Sequence, residues 1–239
     1  MSDGKLRIAG LGDLHVTETN EHPYRECFAE IARDADVLAL CGDLTNLGTI
    51  KEAELLAEEL RAVPIPMVGV LGNHDIESGH GEQVTKILCQ AGLKLLESEP
   101  HTIEGIGFAG VKGFAGGFDR GMLGAFGETM IKSFVGEAIA EATKLEVQLK
   151  ALHVDKVVVL LHYAPIAATC EGEPKEIYPF LGSSRFAETV NRFDNVKAVF
   201  HGHAHGGSYE GKTKAGIPVY NVARHVKKPT GKPYAVLEI

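Results

Sequence analysis

Between residues 5 and 92 the hydrophobic pattern alternates between two periods, and that alternation constrains the fold more than any other feature of the chain. KLRIAGLG (5–12), DVLALCGD (36–43) and PMVGVLGN (66–73) are short apolar runs that end on glycine and polar residues, as buried strands do. Between and after them, YRECFAEIARD (24–34), KEAELLAEELRAV (51–63) and GEQVTKILCQAG (81–92) carry helical spacing. In the second helix the apolar positions are Ala53, Leu56, Ala57 and Leu60, and the third closes at Gly92. A β-α-β-α-β order implies a parallel sheet with right-handed crossovers, hence an α/β fold.

The second half has a different texture. Residues 93–111 read as short strands, 112–133 as a glycine-rich loop and 134–152 as a long helix. A strand at 156–161, a loop to about 182, a helix at 183–194 and a strand at 197–201 follow, and short strands run to the C-terminus. No repeat or linker interrupts the pattern, so one domain over 1–239 is expected. With 44% hydrophobic residues in 239, the chain can bury a full core.

The polar residues at the strand ends carry the chemistry. The strands end in GDLH (12–15), CGDL (41–44), LGNHD (71–75), LLHYAP (160–165) and FHGHAHG (200–206). Ligands of an open α/β sheet bind beyond the carboxyl ends of its strands, so these five clusters should converge on one crevice. Singly, each has an ordinary reading: Asp13 or Asp43 as a turn or helix cap, Asn73 as a left-handed turn residue, His162 as a packed core histidine. Together they overturn it.

In this order, D-x-H, G-D, G-N-H-D, H and G-H-x-H, the clusters resemble the calcineurin-like metallophosphoesterase family, and the match runs from Asp13 to His205. The resemblance implies two packed mixed β-sheets flanked by α-helices, a four-layer sandwich. It implies that Asp13, His15 and His205 bind one metal, that Asn73, His162 and His203 bind a second, and that Asp43 bridges the two. Gly42, Gly72 and Gly202 would be the turn glycines that bring their neighbours inward. The implied activity is hydrolysis of phosphate mono- or diesters by a hydroxide bridging two ions. A scaffold on the same fold and a nuclease are the alternatives.

Elementary chemistry agrees with that assignment. Two divalent ions bring four positive charges, and Asp13 and Asp43 cancel only two, so the centre stays attractive to phosphate. Two ions about 4 Å apart can clamp an in-line displacement and lower the pKa of a shared water. Mixed imidazole and carboxylate donors suit Mn, Fe or Zn, divalent or trivalent, better than calcium. His74 adjoins Asn73 and by resemblance would protonate or stabilise the leaving oxygen, with Asp75 orienting its ring. His201 alternates with the ligand pair but falls outside the motif, which leaves it either supporting the ligands from behind or packed, and His225 is a rim candidate. His203 and His205 can serve two different ions only if the strand has ended, so strand periodicity should fail inside HGHAHG, with Gly202 and Gly206 allowing the break.

Charge and cysteine usage narrow the partners and the setting. A net charge of −8 argues against a nucleic-acid or anionic-membrane partner and is compatible with a small phosphoester substrate. Cys27, Cys41, Cys89 and Cys170 form no C-x-x-C pair, and the N-terminal residues lack an apolar signal core, so a cytoplasmic protein with reduced thiols is expected. A homo-oligomer is compatible with the composition. Lys112, Arg120, Lys175 and Arg185 are candidate phosphate contacts, and Phe114, Phe118 and Tyr178 candidate stacking residues. For each of these seven, surface charge or packing is the simpler role.

Overall fold

A computed structural model describes residues 5–19 and 22–239. Two sheets face each other. The first has the strand order β11-β1-β2-β3-β4, built from β1 (Arg7–Leu11), β2 (Val37–Cys41), β3 (Met67–Val70), β4 (Leu93–Leu95) and β11 (Ala235–Glu238). The second has the order β5-β6-β7-β8-β10-β9, built from β5 (His101–Ile103), β6 (Ile106–Val111), β7 (Lys156–Leu161), β8 (Val196–His201), β9 (Glu210–Lys212) and β10 (Pro218–Asn221). Central pairings in both sheets are parallel, and the edge strands β5, β9 and β11 are antiparallel.

Strand alternation builds the four layers. Ala9, Leu11, Leu38 and Leu40 pack under α1 (Arg25–Asp34), α2 (Ile50–Leu60) and α3 (Gly81–Gln90), against Phe28, Ile31, Leu56 and Leu88. Their neighbours Ile8, Val37, Ala39 and Cys41 turn the other way and meet Phe108, Val158, Leu160 and Phe200 of the second sheet. Val157, Val159 and Leu161 then face α4 (Thr129–Ala151) and α6 (Ser184–Val190) through Leu145, Leu149, Phe186 and Val190. A strand buried on both faces needs a continuous apolar run, which is what VLALC and KVVVLL supply. Two packed mixed sheets flanked by helices are therefore the architecture.

Besides the helix expected at 183–194, which ends at Val190, two larger differences from expectation stand out. α4 begins at Thr129, not 134, so its first turns run past the core; Val135 is the first buried residue on it. The segment expected as a loop up to 182 contains 3-10 turns at Ala167–Cys170 and Lys175–Ile177, followed by a single helical turn, α5 (Tyr178–Leu181). Apolar periodicity cannot register either feature, since neither depends on burial of a repeated face.

Candidate metal centre

The carboxyl ends of β1, β2, β3, β7 and β8 deliver their polar clusters to one place. Local backbone makes this possible at a steric cost: Asp13, His15, Asp43 and His203 all take positive φ, at 60°, 46°, 49° and 68°. Non-glycine residues rarely occupy that region, and such strain concentrates at functional sites. Close approach also excludes side chains from two glycines. A Cβ on Gly72 would collide with the Asp43 carboxylate and backbone, and one on Gly202 with Asp13.

Two sets of donors meet at Asp43. In the first, His205 Nε2 lies 2.8 Å from Asp13 Oδ1 and 3.5 Å from His15 Nε2, which is 3.7 Å from Asp43 Oδ2. In the second, His162 Nε2 lies 3.0 Å from Asn73 Oδ1, 3.1 Å from His203 Nδ1 and 3.3 Å from Asp43 Oδ1. The distant atoms of the second pair are tied to backbone carbonyls, His162 Nδ1 to Cys41 at 3.0 Å and His203 Nε2 to Phe180 at 3.3 Å. Those carbonyls hold an N–H on each outer nitrogen, so the inner nitrogens face one another and offer lone pairs to a cation once His162 has given up its second proton. Facing nitrogens beside an amide oxygen and a carboxylate call for a cation, and the residues fit one at each set. Asp13, His15 and His205 can converge on one ion, and so can Asp43, His162 and His203; His15, Asp43 and His74 form a third such group.

Electrostatics point the same way. Burial opposes charge on His162, but Asp43 and then Asp13 overcome it and raise the ring to about 9. Burial likewise opposes ionisation of Asp43, yet its carboxyl is held below the usual range by His162 and by the His74 N–H, which donates to Oδ1 at 2.9 Å. Burial lowers His15 to about 4 and His203 to about 3. The hydrogen bond to Asp13 raises His205 as well. The two carboxylates thus favour positive charge at the centre, which a protonated ring or a cation can supply, while burial keeps His15 and His203 neutral.

The structure gathers all seven expected ligands and corrects two expectations. Asp75 does not orient His74: its buried carboxylate accepts from the backbone N–H of Leu44, Thr45 and Gly72 and from the Thr45 hydroxyl, bracing the turns that carry Asp43 and Asn73. The His74 ring is held instead by the Asn46 carbonyl, 2.6 Å from Nδ1, with Nε2 3.9 Å from Asp43 Oδ2. Within HGHAHG, β8 does end at His201, but the left-handed residue is His203 and neither Gly202 nor Gly206. His201 is fully buried between Thr169 Oγ1 and the Gly202 carbonyl, each at 2.8 Å, as either expected role requires. His225 stands 5.0 Å from the His205 ring, at the rim.

A calcineurin-like phosphoesterase model matches residues 6–207. The chain belongs to that family. Among solved structures, this calcineurin-like phosphoesterase is similar to the phosphopantetheinyl hydrolase of Mycobacterium tuberculosis (14% identity, TM-score 0.68, covering 96% of this chain and 95% of that one). It is also similar to a dimetal phosphatase from Danio rerio (11%, TM-score 0.65, 97% and 91%). A third neighbour is GAP50, the anchor in the inner membrane complex of Plasmodium (13%, TM-score 0.59, 98% and 81%). At these identities the likeness shows the fold alone, and that fold serves an anchor as well as enzymes. No curated protein matches the sequence of this phosphoesterase.

Three residues near the centre escaped sequence reasoning. Asn46 holds His74. Arg224 donates to the Leu14 carbonyl, between Asp13 and His15, and to the Tyr24 hydroxyl. Asn221, fully buried, donates to the Ala204 carbonyl at 2.8 Å, between His203 and His205. Asn221 sits at the carboxyl end of β10, so the strand-end signal that found the ligands was present there too. Phe118 and Tyr178 pack edge to face on each other, and Phe114 packs on Phe134 and Tyr163. Lys112 lies over the Phe114 and Tyr163 rings, and Arg185 donates to the Leu123 carbonyl. Among the described residues, no helix is long and apolar enough to cross a membrane.

Proposed function

We propose that the chain is a metal-dependent hydrolase of phosphate mono- or diesters, working as one domain on a small-molecule or nucleotide phosphodiester. The observation that carries this reading is the pair of converging lone-pair sets that share Asp43. Asp13, His15, His205 and Asp43 would hold one ion, and Asp43, Asn73, His162 and His203 the other, with Mn, Fe or Zn suited to the donors. When bound, two such ions supply Lewis acidity that activates water and neutralises phosphoryl oxygens.

The chain's own residues do the rest. Asp43 ties the two sets together and fixes the backbone of His74. The Asn46 carbonyl holds the His74 proton on Nδ1, which turns Nε2 toward the centre. With a second proton on Nε2, the ring would give that proton to the departing oxygen as the water oxygen bonds to phosphorus and the ester P–O bond breaks, and the proton lost by the water would restore the ring by way of solvent. The expected absence of a basic face fits a small ester better than a nucleic acid, and a scaffold would not require seven intact donors.

Metal-loaded protein assayed against bis(p-nitrophenyl) phosphate, p-nitrophenyl phosphate, cyclic nucleotides and glycerophosphodiesters tests the reading. Turnover of at least one ester that is lost on chelation supports it. Inactivity toward all of them with two ions bound per chain refutes it.

A further inference from the structure

Among the described residues, half of the exposed large hydrophobic side chains lie on two segments, 112–134 and 166–182, and the rest, Val147 at 62% among them, are spread over the surface. Phe126 and Met130 are each 78% exposed and Phe180 is 61% exposed, with Leu123 and Ile177 less so. All five lie on two segments that border the His203 side of the metal centre. Phe180 is placed there directly, because its carbonyl is 3.3 Å from His203 Nε2. Its segment is pinned to the strand end carrying His162: Ala164 N–H donates to Leu181 and Ser183 N–H donates to Ala164, both at 3.0 Å. The other segment is stitched onto the first, through Gly116 N–H to the Pro179 carbonyl, Gly117 N–H to Gly182 and Leu123 N–H to Gly116, each at 2.8 Å.

Met130 reaches the same rim by a chain of rings. Phe134, one turn further along α4, packs at 4.9 Å on Phe114, which packs at 5.9 Å on Tyr163, whose ring is 4.4 Å from that of His203. Residues four apart share a helix face, so Met130 lies on the face of α4 that carries Phe134, one turn nearer the solvent. Single exposed hydrophobics need no explanation, but a group of them on two interlocked segments beside one edge of a reactive centre marks a binding surface.

We infer that this rim receives the hydrocarbon chain of the substrate, so that the ester cleaved is a phosphodiester bearing a long alkyl or acyl chain. The inference rests on the phosphoesterase reading of the adjoining centre. Proximity decides the occupant: a group attached to phosphorus at the centre meets Phe180 within a few bonds. An anionic lipid surface is disfavoured by the net charge of −8, since on the same two segments Arg120, Lys132 and Lys175 are offset by Glu128, Glu171, Glu173 and Glu176. Backbone stitching also leaves little ordering for a bound chain to impose, which favours affinity.

The test uses the full, metal-loaded protein and monomeric p-nitrophenyl alkyl phosphates with methyl, hexyl and dodecyl chains. Full burial of one methylene is worth about fourfold, and a rim covering one side of the chain about half that in free energy, roughly twofold. The hexyl-to-methyl ratio of kcat/KM should therefore be at least about tenfold, and Phe180→Ser combined with Met130→Ser should bring it to within about threefold of unity. Competition between hexylphosphonate and methylphosphonate for binding should show the same ratio and the same loss. A flat profile in the natural protein, an undiminished ratio in the double variant, or a chain-length gain confined to esters presented in phosphatidylcholine vesicles overturns the inference. If no ester is cleaved with two ions bound but hexylphosphonate still binds more tightly, the phosphoesterase reading fails and the chain-binding rim stands.

Discussion

The two halves of the proposed metal centre are built to different standards. His162 is fully buried, and both rings of its half are held by backbone carbonyls, so their inner nitrogens are aimed before any ion arrives. In the other half the His205 side chain is 41% exposed, and among the described residues neither His15 Nδ1 nor His205 Nδ1 has such a carbonyl. Orientation there depends on Asp13, which is fully buried and accepts from the His203 N–H as well as facing His205. One half is therefore a preformed cage, and the other is an open grip that faces solvent. With ions bound as proposed, the open grip would exchange its ion and admit substrate, while the cage would keep the other in place.

Asp43 is the member that both halves share, so Asp43→Asn is expected to have the largest effect. Bound metal should fall from two ions to at most one per chain, measured by atomic absorption, and hydrolysis of bis(p-nitrophenyl) phosphate should drop on the order of a thousandfold or more. Retention of both ions with activity within about tenfold would remove Asp43 from its bridging role. Single-ligand variants then separate the halves. In urea unfolding without metal, His162→Ala should destabilise by about 3 kcal/mol, because it leaves the buried Asp43 carboxylate without its charged neighbour. His205→Ala removes a partly exposed partner of Asp13, which keeps the His203 N–H, and should cost about 1 kcal/mol or less. Equal losses in the two variants would mean that the halves do not differ in burial as argued.

How far the sequence carried this picture depended on which physical signal each part leaves in the chain. The layers were legible because strands buried on both faces must be continuously apolar, and VLALC and KVVVLL are. The convergence of the candidate ligands was legible because five polar clusters at the carboxyl ends of five buried strands must meet at one edge of the sheets. The partners of those ligands were not: Asp75 is adjacent to His74 in the chain, yet the 3-10 turn His74–Ile76 carries its carboxylate to the backbone of Thr45. Asn46 does the orienting from another strand end, and no spacing rule connects positions 46 and 74. The apolar rim was invisible for a related reason, since Phe126, Met130 and Phe180 look like core residues until the fold shows them outside the core.

Asn221 tests whether the strand-end signal extends to residues that position ligands without touching an ion. Its amide holds the Ala204 carbonyl between one ligand from each half, so Asn221→Ala should loosen both, lowering metal affinity and kcat/KM by about ten- to hundredfold. Asn221→Asp keeps an acceptor but loses the donor and should recover little. Isothermal titration with Mn and steady-state kinetics on the same preparations check this. A loss of thermal stability with unchanged metal affinity would assign Asn221 to packing alone.

The smallest expected effect concerns His201, which lies behind both halves and ligates neither. Burial lowers its pKa from the ordinary 6.5 to about 4. The neutral ring is held by Nδ1–H to the Gly202 carbonyl and by the Thr169 hydroxyl donating to Nε2. For a histidine with a depressed folded-state pKa, the unfolded chain binds the extra proton first, so the contribution is flat above about pH 6.5 and is lost as pH falls toward 4. Between pH 7 and 5.5 the loss from this one ring is about 1 kcal/mol. Urea unfolding of metal-loaded protein at those two pH values should show His201→Asn less pH-dependent than the natural chain by that amount. Asparagine cannot take up the proton, so any difference in slope reports the imidazole and not the metal sites, which both proteins retain. An identical slope in the two proteins would mean that His201 titrates as it does in the unfolded chain, and that the strand end beneath the cage is more open to water than its burial implies.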